Sequence, residues 1–311
     1  MAKELRRKSS LIRLLTTVLL VMLFSWPGPI PGTPAAAESP DEATCFLWEV
    51  DGKTGQAYLL GSVHLGTDHL FPLPPKIEEA YEKSSFLAVE INLLAVEEEE
   101  LFSITQAFAI NPAFQGIWHY ISTEEYKMLQ EALAEFDINI EQVSFFRPWY
   151  LANTVTMSKF IKAGFDPGLG IDLYFMQKAS GKKDILELES AEFQYRLFSE
   201  LPSELERLYL RDALTTGVEE IAEETNRLLE AWKTGDTGLL EEVLLSYKDK
   251  DTAHYRLYER LVIQRNRGMV EKIEEYMGQG TPFIVIGAAH MVGDDGIVEL
   301  LRQRGYTVRQ L

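Results

Sequence analysis

Two histidines occupy the same local pattern, each just after a stretch that is typical of a buried strand. The apolar run 282–286 is followed by Gly-Ala-Ala-His at 287–290, and the apolar run 58–60 is followed by Gly-Ser-Val-His at 61–64. The chain has only five histidines, so two of them fall in this pattern. An apolar run that stops at a glycine predicts a strand end. Because ligands of open α/β sheets bind at the carboxyl ends of strands, both histidines are candidates for one site.

Two histidines at one sheet edge indicate metal chemistry. Neutral imidazole binds divalent transition metals, and two histidines with one or two carboxylates suit Zn, Mn, Fe or Co. Glu90 is the candidate carboxylate ligand, because a third apolar run delivers it to a strand end, and Glu189 and Asp172 come next. The predicted cofactor is a divalent metal ion, Mn, Co or Zn, bound by His64, His290 and one or two of these carboxylates, with Glu90 as the first candidate. Such a metal lowers the pKa of bound water to about 7 and so produces a hydrolytic nucleophile. The alternative is that both histidines are hydrogen-bonded core residues.

Several further polar residues at predicted strand ends, loops or helices are candidates for substrate binding: Asn92, Asp172, Glu189, Asn266 and His69. His69 lies in a Gly/Pro-containing loop, where it is either a third ligand, a substrate contact or simply solvated. Arg265 precedes Asn266 on a predicted helix. If that helix faces the sheet edge, Arg265 could hold a substrate carboxylate or stabilise an oxyanion; otherwise it is solvated or in a salt bridge.

Motifs of several other site classes are absent from the sequence. There is no G-x-S-x-G elbow to activate a serine, no H-E-x-x-H zinc helix, and no Walker A or G-x-G-x-x-G phosphate loop. Glycines at 164, 168 and 170 precede a predicted helix, but the intervening Asp166-Pro167 does not fit a nucleotide fingerprint. These absences leave the strand-end histidines as the main indication of chemistry.

The N-terminus has the pattern of a secretory signal peptide, which we assign to residues 1–37. Five lysines and arginines precede the apolar segment 14–26, prolines follow, and Ala35-Ala36-Ala37 fits a cleavage site. The competing interpretation is an uncleaved anchor, but thirteen apolar residues fall short of the roughly 20 that span a bilayer. We therefore expect a secreted or extracytoplasmic protein, with a polar linker at 38–45 and no stable membrane span in the mature chain.

Composition and charge limit the classes of partner. The 311 residues are 46% hydrophobic, which is ordinary for a folded globular protein. The net charge is −18, and cleavage after residue 37 would remove five basic residues and one acidic residue. This acidity argues against nucleic acid as a partner, because phosphate binding needs clustered lysines and arginines. Cys45 is the single cysteine, so no intramolecular disulfide forms.

Hydrophobic periodicity predicts an alternation of strands and helices. Strands are predicted at 45–50, 56–60, 86–89, 184–189, 282–286 and 306–308. Helical periodicity dominates about 96–164 and 191–277, and it predicts a long helix at 252–277. This order predicts a single α/β domain, residues 46–311, with a central mixed β-sheet, an active site at the strand ends and a large α-helical insertion or cap.

As a set, these motifs resemble the TraB/GumN family, which includes the Tiki proteins. The resemblance covers about residues 46–311 and depends on the order of short motifs: 58–64 (Tyr-Leu-Leu-Gly-Ser-Val-His) with Gly66, 89–92 (Val-Glu-Ile-Asn), 170–172 (Gly-Ile-Asp), 188–189 (Leu-Glu), 265–267 (Arg-Asn-Arg), 287–290 (Gly-Ala-Ala-His) with Gly293, and 305–306 (Gly-Tyr). It implies a fold related to the erythromycin-esterase/ChaN-like group. Tiki members are understood as divalent-metal-dependent proteases, which implies that His64, Glu90 and His290 are the catalytic metal-binding residues. Tiki proteins are membrane-bound, whereas this chain is predicted to be released, so their substrate is not carried over.

Two functional hypotheses follow. The first is an exported metal-dependent hydrolase, expected to be a peptidase, in which His64 and His290 bind the metal. Glu90 either binds the metal or acts as general base, and Arg265 orients a peptide or other small substrate. The alternative is a non-catalytic protein that binds a peptide or small ligand in the same cleft; haem is suggested only by kinship of fold. The sequence predicts no particular oligomeric state.

Overall fold

The computed structural model describes residues 44–244 and 252–311. The predicted signal peptide, residues 1–37, and nearly all of the predicted linker 38–45 therefore lie outside the described residues. The two described ranges contain the predicted histidine segments, the candidate carboxylates and the helix that carries Arg265.

The strands in these ranges form one mixed sheet in the order β4-β3-β5-β2-β1-β6. Their bounds are β1 Leu47–Gly52, β2 Gly55–Ser62, β3 Phe86–Val89, β4 Ile185–Glu187, β5 Pro282–Gly287 and β6 Thr307–Gln310. β1 is antiparallel to both of its neighbours, β2 and β6, whereas β2, β5, β3 and β4 are parallel to one another. The predicted α/β fold with a central mixed sheet is confirmed.

The four parallel strands end at the same edge of the sheet. β3 and β5 are buried along their whole length, as expected for strands that are covered on both faces. Shortly after the ends of these four strands come His64, Glu90, Glu189 and His290. The shared direction of the strands therefore explains why residues so distant in sequence meet in one place.

Helices occupy the intervals between the strands. α1 Pro75–Lys83 joins β2 to β3. Between β3 and β4 lie α2 Glu98–Phe108, α3 Thr123–Ala134, α4 Ile140–Val143, α5 Pro148–Lys162 and α6 Ile171–Ala179. Between β4 and β5 lie α7 Ala191–Ser199, α8 Ser203–Thr215, α9 Val218–Lys233, α10 Thr237–Leu244, α11 Ala253–Tyr258 and α12 Gln264–Met277, and α13 Ile297–Gln303 precedes β6. No helix within residues 44–244 or 252–311 is both long enough and apolar enough to cross a membrane.

Buried aromatic rings pack the helices of the cap against one another. Trp149 of α5 stacks on Phe198 of α7 with 5.1 Å between ring centroids, and Phe198 stacks on Tyr209 of α8 at 5.9 Å. Large buried rings contribute much of the apolar area that stabilises such contacts. This packing holds α7 beside the strand ends, where its first turns meet the polar cluster described below.

The long helix predicted at 252–277 is present, and it contains a π-helical turn, Glu259–Ile263, between α11 and α12. The N–H of Gln264 bonds to the carbonyl of Glu259, five residues earlier, so the turn holds one residue more than an α-helix would. Hydrophobic periodicity predicted the helix but not this turn, because the apolar pattern continues through it. Arg265 stands two residues after the turn ends, and its Nη1 donates to the carbonyl of Leu261 within it at 3.1 Å.

Candidate functional site

Glu90 is the centre of a buried polar cluster at the sheet edge. Its side chain is 1% exposed. One carboxylate oxygen, Oε1, accepts the backbone N–H of Gly287 at 2.7 Å and lies 4.0 Å from Nε2 of His64. The other oxygen, Oε2, accepts a hydrogen bond from Nη2 of Arg265 at 2.5 Å. The structure therefore brings His64, Glu90 and Arg265 together, and His290 joins them through Arg265.

His64 is oriented by Asp172, whose Oδ1 lies 2.8 Å from Nδ1 of the ring. Because an ionised carboxylate only accepts, Nδ1 carries a proton, and in the neutral ring Nε2 keeps the lone pair. Nε2 is buried and has no hydrogen-bond partner among the described residues. The N–H of Ile171 donates to the carbonyl of Val63 at 3.0 Å, and a Cβ at Gly170 would lie 2.5 Å from the carbonyl oxygen of His64. Glycine at 170 thus lets the first turn of α6 lie against the segment that ends at His64.

His290 is oriented in the same way by an amide. Asn266 donates through Nδ2 to the carbonyl of Asp295 at 2.7 Å, so its Oδ1 faces Nδ1 of His290 at 2.5 Å. Nδ1 of this ring therefore also carries the proton. Nε2 of His290 keeps the lone pair and accepts a hydrogen bond from Nη1 of Arg265 at 3.2 Å. The two histidines present the same nitrogen to the cluster, but only that of His64 is unpartnered.

Arg265 uses all five of its N–H donors inside the protein. Nε donates to the two carboxylate oxygens of Glu189 at 2.9 and 3.0 Å, and Nη2 donates to Glu90 and, at 2.6 Å, to Glu189. Nη1 donates to the carbonyl of Leu261 and to His290. Since guanidinium has five donors, none remains in this conformation for a substrate carboxylate or an oxyanion, the role that the sequence suggested for Arg265.

Gln194, on α7, belongs to the cluster and was not predicted. Its Nε2 donates to Oε2 of Glu189 at 3.0 Å and lies 3.5 Å from Oε2 of Glu90. Its Oε1 is buried without a partner among the residues that the structure describes. A glutamine in an amphipathic helix is ordinarily taken as a surface residue; its position five residues after Glu189 is the one sequence signal that could have identified it.

Burial and neighbouring charges shift the pKa values of the cluster's titratable groups in different directions. Burial raises the pKa of Glu90, but the charges of Arg265, His290 and His64 outweigh it and lower that pKa to about 2. Burial and the guanidinium of Arg265 lower the pKa of His290 to about 3. Burial acts in the same direction on His64, but the charge and the hydrogen bond of Asp172 prevail and raise its pKa. Glu90 is therefore anionic and His290 neutral at physiological pH, and a proton competes with any metal for Nε2 of His64.

Two predicted substrate-binding residues lie at the margin of the cluster or outside it. Asn92 is half-buried; its backbone N–H donates to Oε1 of Glu187 at 2.6 Å, and its side-chain oxygen is buried without a partner in the described ranges. His69 is exposed in a short 3-10 turn, Asp68–Leu70, outside the buried cluster. Of the predicted set, Asp172, Glu189 and Asn266 are therefore the ones that the structure joins to the histidines.

Nε2 of His64 and the carboxylate of Glu90 could bind a divalent metal, whereas Nε2 of His290 is already occupied by a hydrogen bond. Nε2 of His64 and Oε1 of Glu90 are 4.0 Å apart. An imidazole whose other nitrogen is held by a carboxylate is the usual arrangement of a metal-binding histidine. On the other side, Arg265 covers Nε2 of His290. Across residues 44–244 and 252–311, no group of three or more His, Cys, Asp or Glu side chains is placed to hold a metal ion as it stands.

Comparison with known proteins identifies the family. The TraB/PrgY/gumN family matches residues 46–310. The chain is similar to the uncharacterized protein YbaP of Shigella flexneri, at 26% identity over 247 residues, which cover 79% of this chain and 88% of the relative. YbaP of Escherichia coli (strain K12) is likewise 26% identical, over 79% of this chain and 87% of the relative.

A third relative extends the comparison to another organism. An uncharacterized protein of Treponema pallidum (strain Nichols) is 23% identical over 275 residues, which cover 83% of this chain and 80% of the relative. No solved structure matches. The family match spans the whole sheet and both histidine segments, and the resemblance seen in the sequence is confirmed: the chain belongs to the TraB/PrgY/gumN family.

Proposed function

We propose that the protein is a metal-dependent hydrolase whose reaction centre is the buried cluster around Glu90. The observation that carries this proposal is Nε2 of His64, which is buried, unpartnered among the described residues and turned towards an anionic oxygen of Glu90 at 4.0 Å. A buried polar atom without a partner destabilises a fold, so its presence favours a ligand that the cluster binds. A divalent metal ion, Mn, Co or Zn, suits this pair of imidazole and carboxylate.

Each residue of the cluster has a defined role in the proposal. His64, Glu90 and His290 are the metal ligands, and Asp172 and Asn266 keep the protons on Nδ1, so that both Nε2 atoms carry the lone pair that a metal needs. A bound divalent metal supplies Lewis acidity and a water of lowered pKa. Because Oε1 of Glu90 lies 4.0 Å from Nε2 of His64 and is held in place by the N–H of Gly287, we assign Glu90 as a ligand and not as the general base that the sequence left as an alternative.

Metal titration tests the first part of the proposal. Chelator-treated protein is titrated with Co²⁺, Mn²⁺ and Zn²⁺ in a calorimeter, and we expect binding of one ion, weakened at least tenfold by His64→Ala. His69→Ala is the matched control, because it makes the same change at an exposed histidine outside the cluster. Equal affinity of the wild type and His64→Ala would contradict the proposal.

Peptide digestion tests the second part. We propose peptides as the substrate class, supported by the resemblance of the histidine and carboxylate motifs to those of Tiki proteases. Metal-loaded protein is incubated with a peptide mixture, and the products are identified by mass spectrometry. Cleavage that is lost in His64→Ala supports the hydrolase. A peptide that stays intact but is protected from an added protease would support the alternative, a non-catalytic binding protein.

We also propose that residues 1–37 direct export. Expression of the full chain followed by cell fractionation and mass measurement is the direct test. The expected result is a chain outside the cytoplasm that begins at Glu38. A full-length chain in the membrane fraction would support the uncleaved anchor, and a full-length chain in the cytoplasm would contradict export.

A further inference from the structure

We propose that Arg265 is a built-in competitor of the metal ion, and that metal binding displaces its guanidinium from His290 and Glu90. This inference rests on the proposed metal site and adds a regulatory step to it. Nη1 of Arg265 lies 3.2 Å from Nε2 of His290, and Nη2 lies 2.5 Å from Oε2 of Glu90. The guanidinium thus occupies the space between two of the three proposed ligands.

The contact with His290 uses the same lone pair that a metal would use. Asn266 holds the Nδ1 proton, which leaves Nε2 as the acceptor, and a guanidinium can only donate. Arginine does not lose its proton in proteins, so a permanent cation stands at this position. A divalent ion and the guanidinium would also repel each other strongly in a site where both are buried. His290 can therefore join a metal only after Arg265 withdraws.

The structure offers Arg265 a second anionic partner for its displaced state. Glu189, which is not a proposed ligand, accepts from Nε and Nη2 at 2.9, 3.0 and 2.6 Å. The guanidinium can give up His290 and Glu90 and keep Glu189, so its displacement does not leave an unpaired buried charge. Gln194 also donates towards the same oxygens of Glu189 and Glu90, and it provides a neutral donor where Arg265 leaves.

A pair of substitutions that keeps the net charge can distinguish competition between Arg265 and the metal from a general change in the charge of the site. The double variant Arg265→Gln/Glu189→Gln removes one positive and one negative charge, so the net charge of the cluster is unchanged. We expect it to bind Co²⁺ at least tenfold more tightly than the wild type in calorimetric titration. Glu189→Gln alone keeps the competitor and removes its second partner, and should bind Co²⁺ several-fold more weakly. Arg267→Gln makes the same change at an exposed site of α12 and should leave the affinity unchanged.

The outcomes distinguish this inference from the proposed function. If the wild type binds Co²⁺ in a manner that depends on His64, but the double variant binds no more tightly, the inference is overturned and the metal site stands. If neither protein binds Co²⁺, the metal site fails and the inference fails with it. X-ray absorption of Co²⁺-loaded wild type is a second measurement that needs no variant: two imidazole ligands are expected, and a single one would show that Arg265 keeps His290.

Discussion

The two Gly-x-x-His segments end in histidines with the same protonated nitrogen and opposite surroundings. Nδ1 of His64 faces the carboxylate of Asp172, and Nε2 has no hydrogen-bond partner among the described residues. His290 has a neutral amide behind its ring, Asn266, and a guanidinium in front of Nε2. Burial lowers the pKa of both rings, but Asp172 reverses the effect at His64, whereas Arg265 adds to it at His290.

This difference shows that the repeated Gly-x-x-His motif determines where each histidine lies but not which charged groups surround it. Both segments follow parallel strands, β2 and β5, that pair with each other, so both rings reach the same edge of the sheet. The residue that orients each ring comes from a different helix: Asp172 from the first turn of α6, and Asn266 from α12, next to Arg265. The helices, and not the repeated segments, therefore decide which histidine is open and which is covered.

The largest expected loss of stability comes from removing the guanidinium of Arg265, which covers His290. Arg265→Met removes the guanidinium that pairs with both Glu90 and Glu189, and loss of one member of a buried ion pair typically costs about 3–5 kcal/mol. Urea unfolding of chelator-treated protein measures this loss. Arg267→Met on the exposed face of the same helix should stay within about 0.5 kcal/mol of the wild type. A loss below about 1 kcal/mol for Arg265→Met would mean that the cluster does not depend on the guanidinium.

The next largest effect is on the pH dependence of stability, in which the two histidines should differ, again in chelator-treated protein. Between pH 6.5 and 4.5 the unfolded chain gains a proton at residue 290, whereas folded His290, with a pKa of about 3, does not. Stability should therefore fall with acidity, with a slope that rises towards about 1.4 kcal/mol per pH unit and a total loss of roughly 2 kcal/mol over this window, and His290→Gln should remove that slope. Below pH 4.5, the ordinary pKa of Glu90, carboxylates add a slope of their own.

His64 should affect the stability of the protein above pH 6.5. Its folded pKa is raised, so the stability that its protonated form contributes is complete below pH 6.5 and is lost as the pH rises through the folded pKa. His64→Gln should flatten stability above pH 6.5 and leave the window between 6.5 and 4.5 unchanged. Unfolding free energies measured at a series of pH values test both variants. Identical profiles for the two would show that the surroundings of the rings do not differ as described.

Local sequence patterns predict the strand ends well and the partners of the rings only in part. Continuous apolar runs identify the parallel strands, and the polar side chains within four residues after these runs include His64, Glu90 and His290. Asp172 could be predicted as a candidate because it lies in the first turn of a helix that follows a glycine-containing loop. What it contacts could not be predicted, because the bond joins residues 108 positions apart.

The contacts of Arg265 could not be predicted for a related reason. An arginine on a helix is usually solvated, and its burial here depends on two carboxylates that follow β3 and β4 and on a π-helical turn that periodicity does not detect. Gln194 escaped prediction because its role exists only where α7 crosses these same carboxylates. Strand direction thus predicts where a site lies, while its charge balance depends on contacts between distant elements.

A smaller effect is expected where α6 approaches His64. A Cβ at Gly170 would lie 2.5 Å from the carbonyl oxygen of His64, so Gly170→Ala must move the first turn of α6 and with it Asp172. Overpacking of this kind costs about 1–3 kcal/mol, which urea unfolding can measure. The acid-side slope that depends on His290 should be unchanged, whereas the slope above pH 6.5 should shrink. Loss of both slopes would instead indicate that the two rings are coupled through one rigid unit.

The smallest effect concerns the helix that covers His290. Gly268 lies on the exposed face of α12, and a Cβ there would meet no atom within 4 Å. Gly268→Ala should therefore stabilise the protein by about 0.5–1 kcal/mol through helix propensity alone. If α12 is a rigid support for Arg265 and Asn266, the affinity for Co²⁺ should not change, because the contacts at His290 stay the same. A weaker affinity in this stabilised variant would instead show that Arg265 withdraws by loosening of α12. In that case the whole helix, and not only the side chain of Arg265, would determine whether Nε2 of His290 is covered.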